Sequence, residues 1–211
     1  MATKIKKFYA VRQGYKIGIF NTWDECKKQV MGFKGATYKS FKTMEEAENY
    51  MDINKKVSSL TKEEIQEIDD HTLVAYVDGS FDVGTKQYGS GIVLLYKDQK
   101  LTFSEKGSDE SLTSMRNVAG EIKGAEFAID YAVKNNYKKV MIHYDYEGIE
   151  KWCTLEWKAN KEGTKAYRDF YINSVKNIMI EFVKVKAHTG DKYNEEADIL
   201  AKKSIGIGTM K

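Results

Sequence analysis

The 211 residues contain no proline and only two cysteines. Without proline, no slow prolyl isomerisation step is expected in folding. Cys26 and Cys153 lie far apart and lack metal-ligand spacing. Free thiols in a reducing, cytoplasmic setting are therefore expected. Long hydrophobic runs are also missing. No stretch approaches the roughly 18 apolar residues of a membrane span, so no membrane partner is expected. The basic start MATKIKKFYAV is not followed by the apolar core of a signal sequence. There is no internal repeat and no low-complexity tract. With 42% hydrophobic and 31% charged residues, the composition is that of a soluble protein. The length suits one ordinary domain plus a small one.

Excess charge is nearly absent over the whole chain, at +3, but it is unevenly spread. Residues 1–44 carry ten Lys and Arg against Asp24 and Glu25, a net +8. A compact, basic, aromatic-bearing end suits a polyanion partner, although a merely solvated basic face has the same composition.

Two strand-like runs open the chain, Lys7–Arg12 and Tyr15–Phe20, with a tight-turn signal at Gln13-Gly14. Thr22 with Glu25 is a capping box for a short helix ending near Met31–Gly35. Ala36–Phe41 reads as a third strand. Thr43 with Glu46 is a second capping box, opening a helix over Met44–Met51. The pattern predicts a small ββαβα domain over residues 1–53. Residues 54–70 are polar and charged, and read as a linker that is partly helical from Lys62 to Ile68.

Residues 71–211 read as a larger α/β domain. Leu73–Phe81, Tyr88–Tyr96 and Leu101–Gly107 predict an antiparallel meander. Gly84 and Gly89 are placed in its first turn, and 97–100 in its second. Ser114–Asn135 keeps a helical period through Val118, Ile122, Ala125 and Ile129. Lys138–Tyr144 and Ile180–Val185 predict two further strands. Helices are expected over Glu147–Trp152, Lys165–Asn177 and Asn194–Ser204. The result is a mixed five-stranded sheet flanked by helices, in the α/β class.

Asp78 follows the apolar run LVAYV, where a lone ionised carboxylate would be costly. A cation is the simplest compensation, so other acids should converge on it. Glu121 lies one step from a core position of the long helix. Asp145 is at a strand exit, and Asp198 lies between alanines of the last helix. The strands bearing Asp78 and Asp145 are expected to be parallel neighbours. Each acid alone is weak evidence, because helix carboxylates are usually solvated.

The local sequences add weight. YVDGSF, RNVAGEIKGAEFAI, IHYDYEGIEKW and VKAHTG with NEEADILAKK occur in this order. They resemble the signature of type 1 ribonuclease H over Leu73–Ser204. Residues 7–51, through FYAVR, GIF-TWDEC, QV-GF-GA and YKSF, resemble the hybrid-binding, viroplasmin-like domain found at the N-terminus of many such enzymes. The resemblance implies a ribonuclease H-like fold. It also implies an endonuclease that hydrolyses the RNA strand of RNA–DNA hybrids, leaving 5′-phosphate and 3′-hydroxyl ends. Asp78, Glu121, Asp145 and Asp198 would hold two Mg²⁺ ions, with Mn²⁺ as a substitute. His188 would assist product or metal exchange or shuttle a proton, and Glu195 matches a further family acid. Gly79, Ser80, Asn117 and Asn194 would contact substrate, Asn117 near the 2′-hydroxyl that distinguishes RNA.

In the small domain the resemblance implies duplex contacts from Tyr9, Arg12, Trp23, Tyr38 and Lys39. The first turn, GYKIG, departs from the family, which carries an arginine and a threonine where Tyr15 and Ile17 stand. The expected partner is the hybrid duplex, with double-stranded RNA a second duplex for the N-terminal domain, and the protein is expected to act as a monomer. Two competing readings are a duplex-binding protein with a dead nuclease fold and a DNA-acting member of the wider nuclease and integrase superfamily. The four intact acids speak against the first, and the hybrid-binding segment with Asn117 against the second.

Overall fold

A computed structural model describes residues 7–55, 70–186 and 191–208. The chain divides into two compact units, Met1–Lys62 and Glu63–Lys211.

In the first unit, β1 (Phe8–Gln13), β2 (Gly18–Phe20) and β3 (Thr37–Phe41) form a sheet in the order β2-β1-β3, with α1 (Trp23–Val30) and α2 (Met44–Lys55). Both capping boxes are present. The Glu25 N–H donates to Thr22 Oγ1, and the Glu46 N–H to Thr43 Oγ1. The glutamate carboxylates accept in return from the Thr22 and Thr43 N–H groups. Val11, Cys26 and Val30 make the core beneath α1, with Tyr9, Phe20 and Ala36 packed against it.

Three local expectations need correction. The expected strand Tyr15–Phe20 is paired only from Gly18, because the Tyr15 N–H is bonded to the Gln29 carbonyl at 2.8 Å and pulls the chain away from β1. The expected two-residue turn is thus a longer connection. The second helix runs four residues past Met51. The helix expected over Lys62–Ile68 lies outside the described residues, as does most of the expected linker.

The second unit begins with β4 (Thr72–Asp82), β5 (Gln87–Tyr96) and β6 (Gln99–Gly107). The short α3 (Glu110–Thr113) and the long α4 (Asn117–Lys134) follow, then β7 (Lys139–Tyr144), α5 (Gly148–Cys153), α6 (Glu162–Ser174), β8 (Met179–Lys184) and α7 (Lys192–Ser204). The sheet order is β6-β5-β4-β7-β8. The first three strands form the antiparallel meander, and β4, β7 and β8 run parallel.

Alternation along β4 sends successive side chains to opposite faces. Leu73, Ala75 and Val77 are buried on one face, where Val77 meets Gly124 of α4. Tyr76 and Asp78 point to the other face, where Tyr76 packs on Tyr193 of α7. The two helices that carry Glu121 and Asp198 therefore cover opposite faces of one strand.

Backbone contact sets how close those helices come. A Cβ on Gly91 would lie 1.8 Å from the Ala197 carbonyl oxygen, and one on Gly89 2.2 Å from that of Ala201. On the α4 side, a Cβ on Gly79 would lie 2.0 Å from the Asn117 carbonyl oxygen. This corrects the expectation for Gly89. It is not a turn residue but lies within β5, where only glycine admits α7. The long helix also starts three residues later than expected, after α3 and after Arg116, a non-glycine residue at φ +53°. No described helix is long and apolar enough to cross a membrane.

Candidate active site

Asp78 lies in β4, opposite Gly91 in the register with β5. Its Oδ1 accepts the Gly79 N–H at 2.6 Å. β7 runs parallel beside β4 and ends at Tyr144, so Asp145 emerges at the same sheet end. The Tyr144 side chain is buried, and its hydroxyl donates to Glu150 of α5, which ties down the strand exit. Glu121 comes from the first turns of α4 and is only 1% exposed. Carboxylate oxygens of Asp78, Glu121 and Asp145 all lie within 4.8 Å of one another.

Three acids this close cannot all ionise without compensation. Burial, then the neighbouring Asp145, push the Asp78 carboxyl up to about 7. Burial, Asp145 and Asp78 push Glu121 well above the usual carboxylate range. Glu121 Oε2 is buried with no hydrogen-bond partner. An orphaned buried oxygen facing two more carboxylates is a poor resting arrangement for protein alone. It is a fitting one for a hard divalent cation, which takes oxygen donors and cancels the repulsion.

Asp198 stands beside this trio rather than in it. It lines a cavity of about 260 Å³ together with Asp78, Gly79, Asn117, Asp145 and Asn194. Its Oδ2 accepts from Lys202 Nζ at 2.6 Å. Asn194, one turn earlier on α7, is 5% exposed, and its Oδ1 has no partner. Glu195 also lines the cavity. Ser80 does not; it pairs with Gly89 further along β4. His188 lies outside the described residues.

Lys202 was not among the sequence candidates. The available signal was its spacing of four residues after Asp198, which puts both on one helix face. Also unforeseen is a second cavity of about 370 Å³ that shares Asn117. Arg116, Lys158, Lys161, Tyr146 and Trp152 line it, giving a basic and aromatic wall beside the acids.

Residues 70–206 match the family model described as RNase H, and residues 7–51 match the one described as the Ribonuclease H1 N-terminal domain. The chain belongs to the ribonuclease H family. This family cleaves the RNA strand of RNA–DNA hybrids and depends on metal ions. Similarity to human Ribonuclease H1 is 26% identity over 253 residues, covering 92% of this chain and 88% of that protein. Ribonuclease H of Crithidia fasciculata is 47% identical over 62 residues, 29% of this chain. That match spans only 13% of the Crithidia protein. Among solved structures, RNase H1 of Halobacterium salinarum shares the fold with TM-score 0.53 at 19% identity, over 64% of this chain and 97% of that one.

In the N-terminal unit of this ribonuclease H, the five expected duplex contacts fall on two faces of the small sheet. Trp23 lies between Tyr9 and Tyr38, with centroids 5.7 Å from each, and the Trp23 and Tyr38 rings are both exposed. Arg12 sits at the β1 bulge on the α2 side. Its Nε donates to the Tyr50 carbonyl at 2.8 Å, and its guanidinium lies over the Tyr50 ring. Lys39 pairs with Ala10, so pleat alternation turns it away from Tyr38. The structure thus groups Tyr9, Trp23 and Tyr38 and sets Arg12 and Lys39 apart from them. Arg12 is spent on fastening α2.

Proposed function

We propose that the protein is an endonuclease that hydrolyses the RNA strand of RNA–DNA hybrids in a two-metal-ion reaction, leaving 5′-phosphate and 3′-hydroxyl ends. The observation that carries this reading is the convergence of Asp78, Glu121 and Asp145 from three separate elements to within 4.8 Å in a ribonuclease H fold. Asp78, Glu121 and Asp145 would hold one Mg²⁺, and Asp198 would complete a second seat next to Asp78. Bound there, the ions would supply an activated water for in-line attack and charge stabilisation for the leaving 3′ oxygen.

The chain's own groups do the rest. The absence of a side chain on Gly79 keeps the β4 backbone open to the cavity beside Asn117. There the Asn117 amide can test for a ribose 2′-hydroxyl. His188, ten residues before Asp198, would move a proton or help product leave. The basic wall of Arg116, Lys158 and Lys161 would hold backbone phosphates near the acids. In the small unit, the Tyr9–Trp23–Tyr38 row would stack on the duplex, the hybrid being the preferred ligand. The protein would act as a monomer in the cytoplasm.

The test is cleavage of a hybrid labelled on the RNA strand, with Mg²⁺, with Mn²⁺ and with EDTA. Cutting of the RNA strand with either ion and none in EDTA supports the reading. Cutting that persists in EDTA overturns the two-metal reaction. Binding without cutting in every condition returns the protein to the duplex-binding class.

A further inference from the structure

Lys202 makes the one described ion pair that involves a carboxylate of the acidic site, and its partner is the acid that stands outside the close trio. The pair is an i,i+4 contact on α7, with Lys202 about half exposed. Lys202 lines the same cavity as Asp78 and Asp145, so its ammonium lies within the field of the whole site. The acids are therefore divided. Asp78, Glu121 and Asp145 hold an orphaned, buried oxygen and no lysine partner among the printed contacts, which makes a seat that lacks only a cation. Asp198 already has a cation, supplied by the chain.

We propose that Lys202 is an internal competitor for the second cation seat, so that the two seats fill in order and the second stays weak until Lys202 is drawn off Asp198. This rests on the two-metal reading above. The physical argument has two parts. An exposed helical Asp–Lys pair is weak, so it can be broken without disturbing α7. Once broken, the tethered ammonium remains nearby and repels a divalent ion whose charge is twice its own. The first seat meets no such competitor.

Asn194 adds an independent pointer to a ligand at the second seat. Its Oδ1 is buried, unpartnered and one helical turn before Asp198. It offers a neutral oxygen that a lysine-paired Asp198 leaves unused. A phosphodiester entering the cavity would give Lys202 another anion to pair with. Arrival of the nucleic acid would then free Asp198 and complete the second seat, coupling its occupancy to substrate.

The test is a Mn²⁺ titration of the full chain without nucleic acid, read by the loss of the free-ion paramagnetic resonance signal. The wild type should show one tight and one weak site. Lys202→Met should tighten the weak site on the order of tenfold and change the tight one less than about twofold. Lys202→Arg keeps the charge and should leave the weak site near its wild-type value. Asp198→Asn should remove the weak site only. An unchanged or weaker second site in Lys202→Met overturns the proposal, as does equal tightening by Arg and Met, which would trace the effect to side-chain bulk. A wild type that binds no Mn²⁺ at all overturns the two-metal reading itself, a result distinct from either of these.

Discussion

Glu121 is a carboxyl group buried almost completely beside two others, with one oxygen unpartnered. In the cation-free protein this has a sign that can be measured. Asp78 and Glu121 have folded pKa values raised above their ordinary ones. Such groups favour folding while protonated, and that contribution is lost as pH rises through the folded pKa, about 7 for Asp78. In EDTA, Tm should therefore fall between about pH 5 and pH 8. Mg²⁺ binds the ionised cluster and should restore it. The difference between the two Tm curves should widen with pH and reach about 5 °C at the alkaline end. A gap that stays flat across this range contradicts a cation seat at the trio. At the same scale, Asp78→Asn should cut turnover by about 10³-fold or more, since it removes a shared ligand. Hybrid affinity should stay within about threefold, because phosphates dominate binding. Near-normal turnover in this variant would falsify the role given to Asp78.

Helices α4 and α7 owe their positions to glycines in the strands beneath them, and this is where element-level predictions belong. Gly91→Ala would put a methyl group 1.8 Å from the Ala197 carbonyl, so α7 must move outward and take Asp198 with it. Overpacking of this kind costs about 1–3 kcal/mol, which lowers Tm by about 3–10 °C in a chain of this size. Activity should fall further than stability alone explains. Gly84→Ala is the matched control. Its Cβ would meet only Asp82 Oδ1 at 3.4 Å, and both Tm and activity should be kept. Equal effects from the two variants would remove the seating argument.

These contacts also mark the limit of what could be read in the chain. Five strands, their order along the chain and the parallel pairing of β4 with β7 follow from periodicity and connection length. The four acids follow from their local motifs. What escaped was set by tertiary approach. Gly89 looked like a turn residue because nothing nearby in sequence reports that α7 presses on it. Tyr15–Ile17 looked like strand because the competing bond to Gln29 comes from another element. Asp198 was legible as an acid of the site, but its standing apart with Lys202 needed the folded geometry. Arg12 likewise read as a duplex contact until Tyr50 was brought beneath it.

At the scale of the whole molecule, chemistry and grip are assigned to different units. The catalytic unit carries the acids and its own basic wall at Arg116, Lys158 and Lys161. The N-terminal unit carries the aromatic row and most of the +8 segment. If the small unit supplies the sequence-independent hold on the duplex, deleting residues 1–60 should weaken hybrid binding by about tenfold or more near 0.1 M salt. The slope of affinity against salt should become shallower, since fewer phosphates are neutralised. Turnover on saturating hybrid should change little, because no acid of the site is removed. Trp23→Ala in the full chain isolates the aromatic part. Loss of one stacking platform is worth about 1–3 kcal/mol, so affinity should fall about 5- to 100-fold while the salt slope stays that of the wild type. A deletion that leaves both affinity and slope untouched would place the grip in the catalytic unit, on the wall beside Asn117. A Trp23 variant that flattens the slope as much as the deletion does would show that the ring had been positioning the lysines rather than meeting the bases.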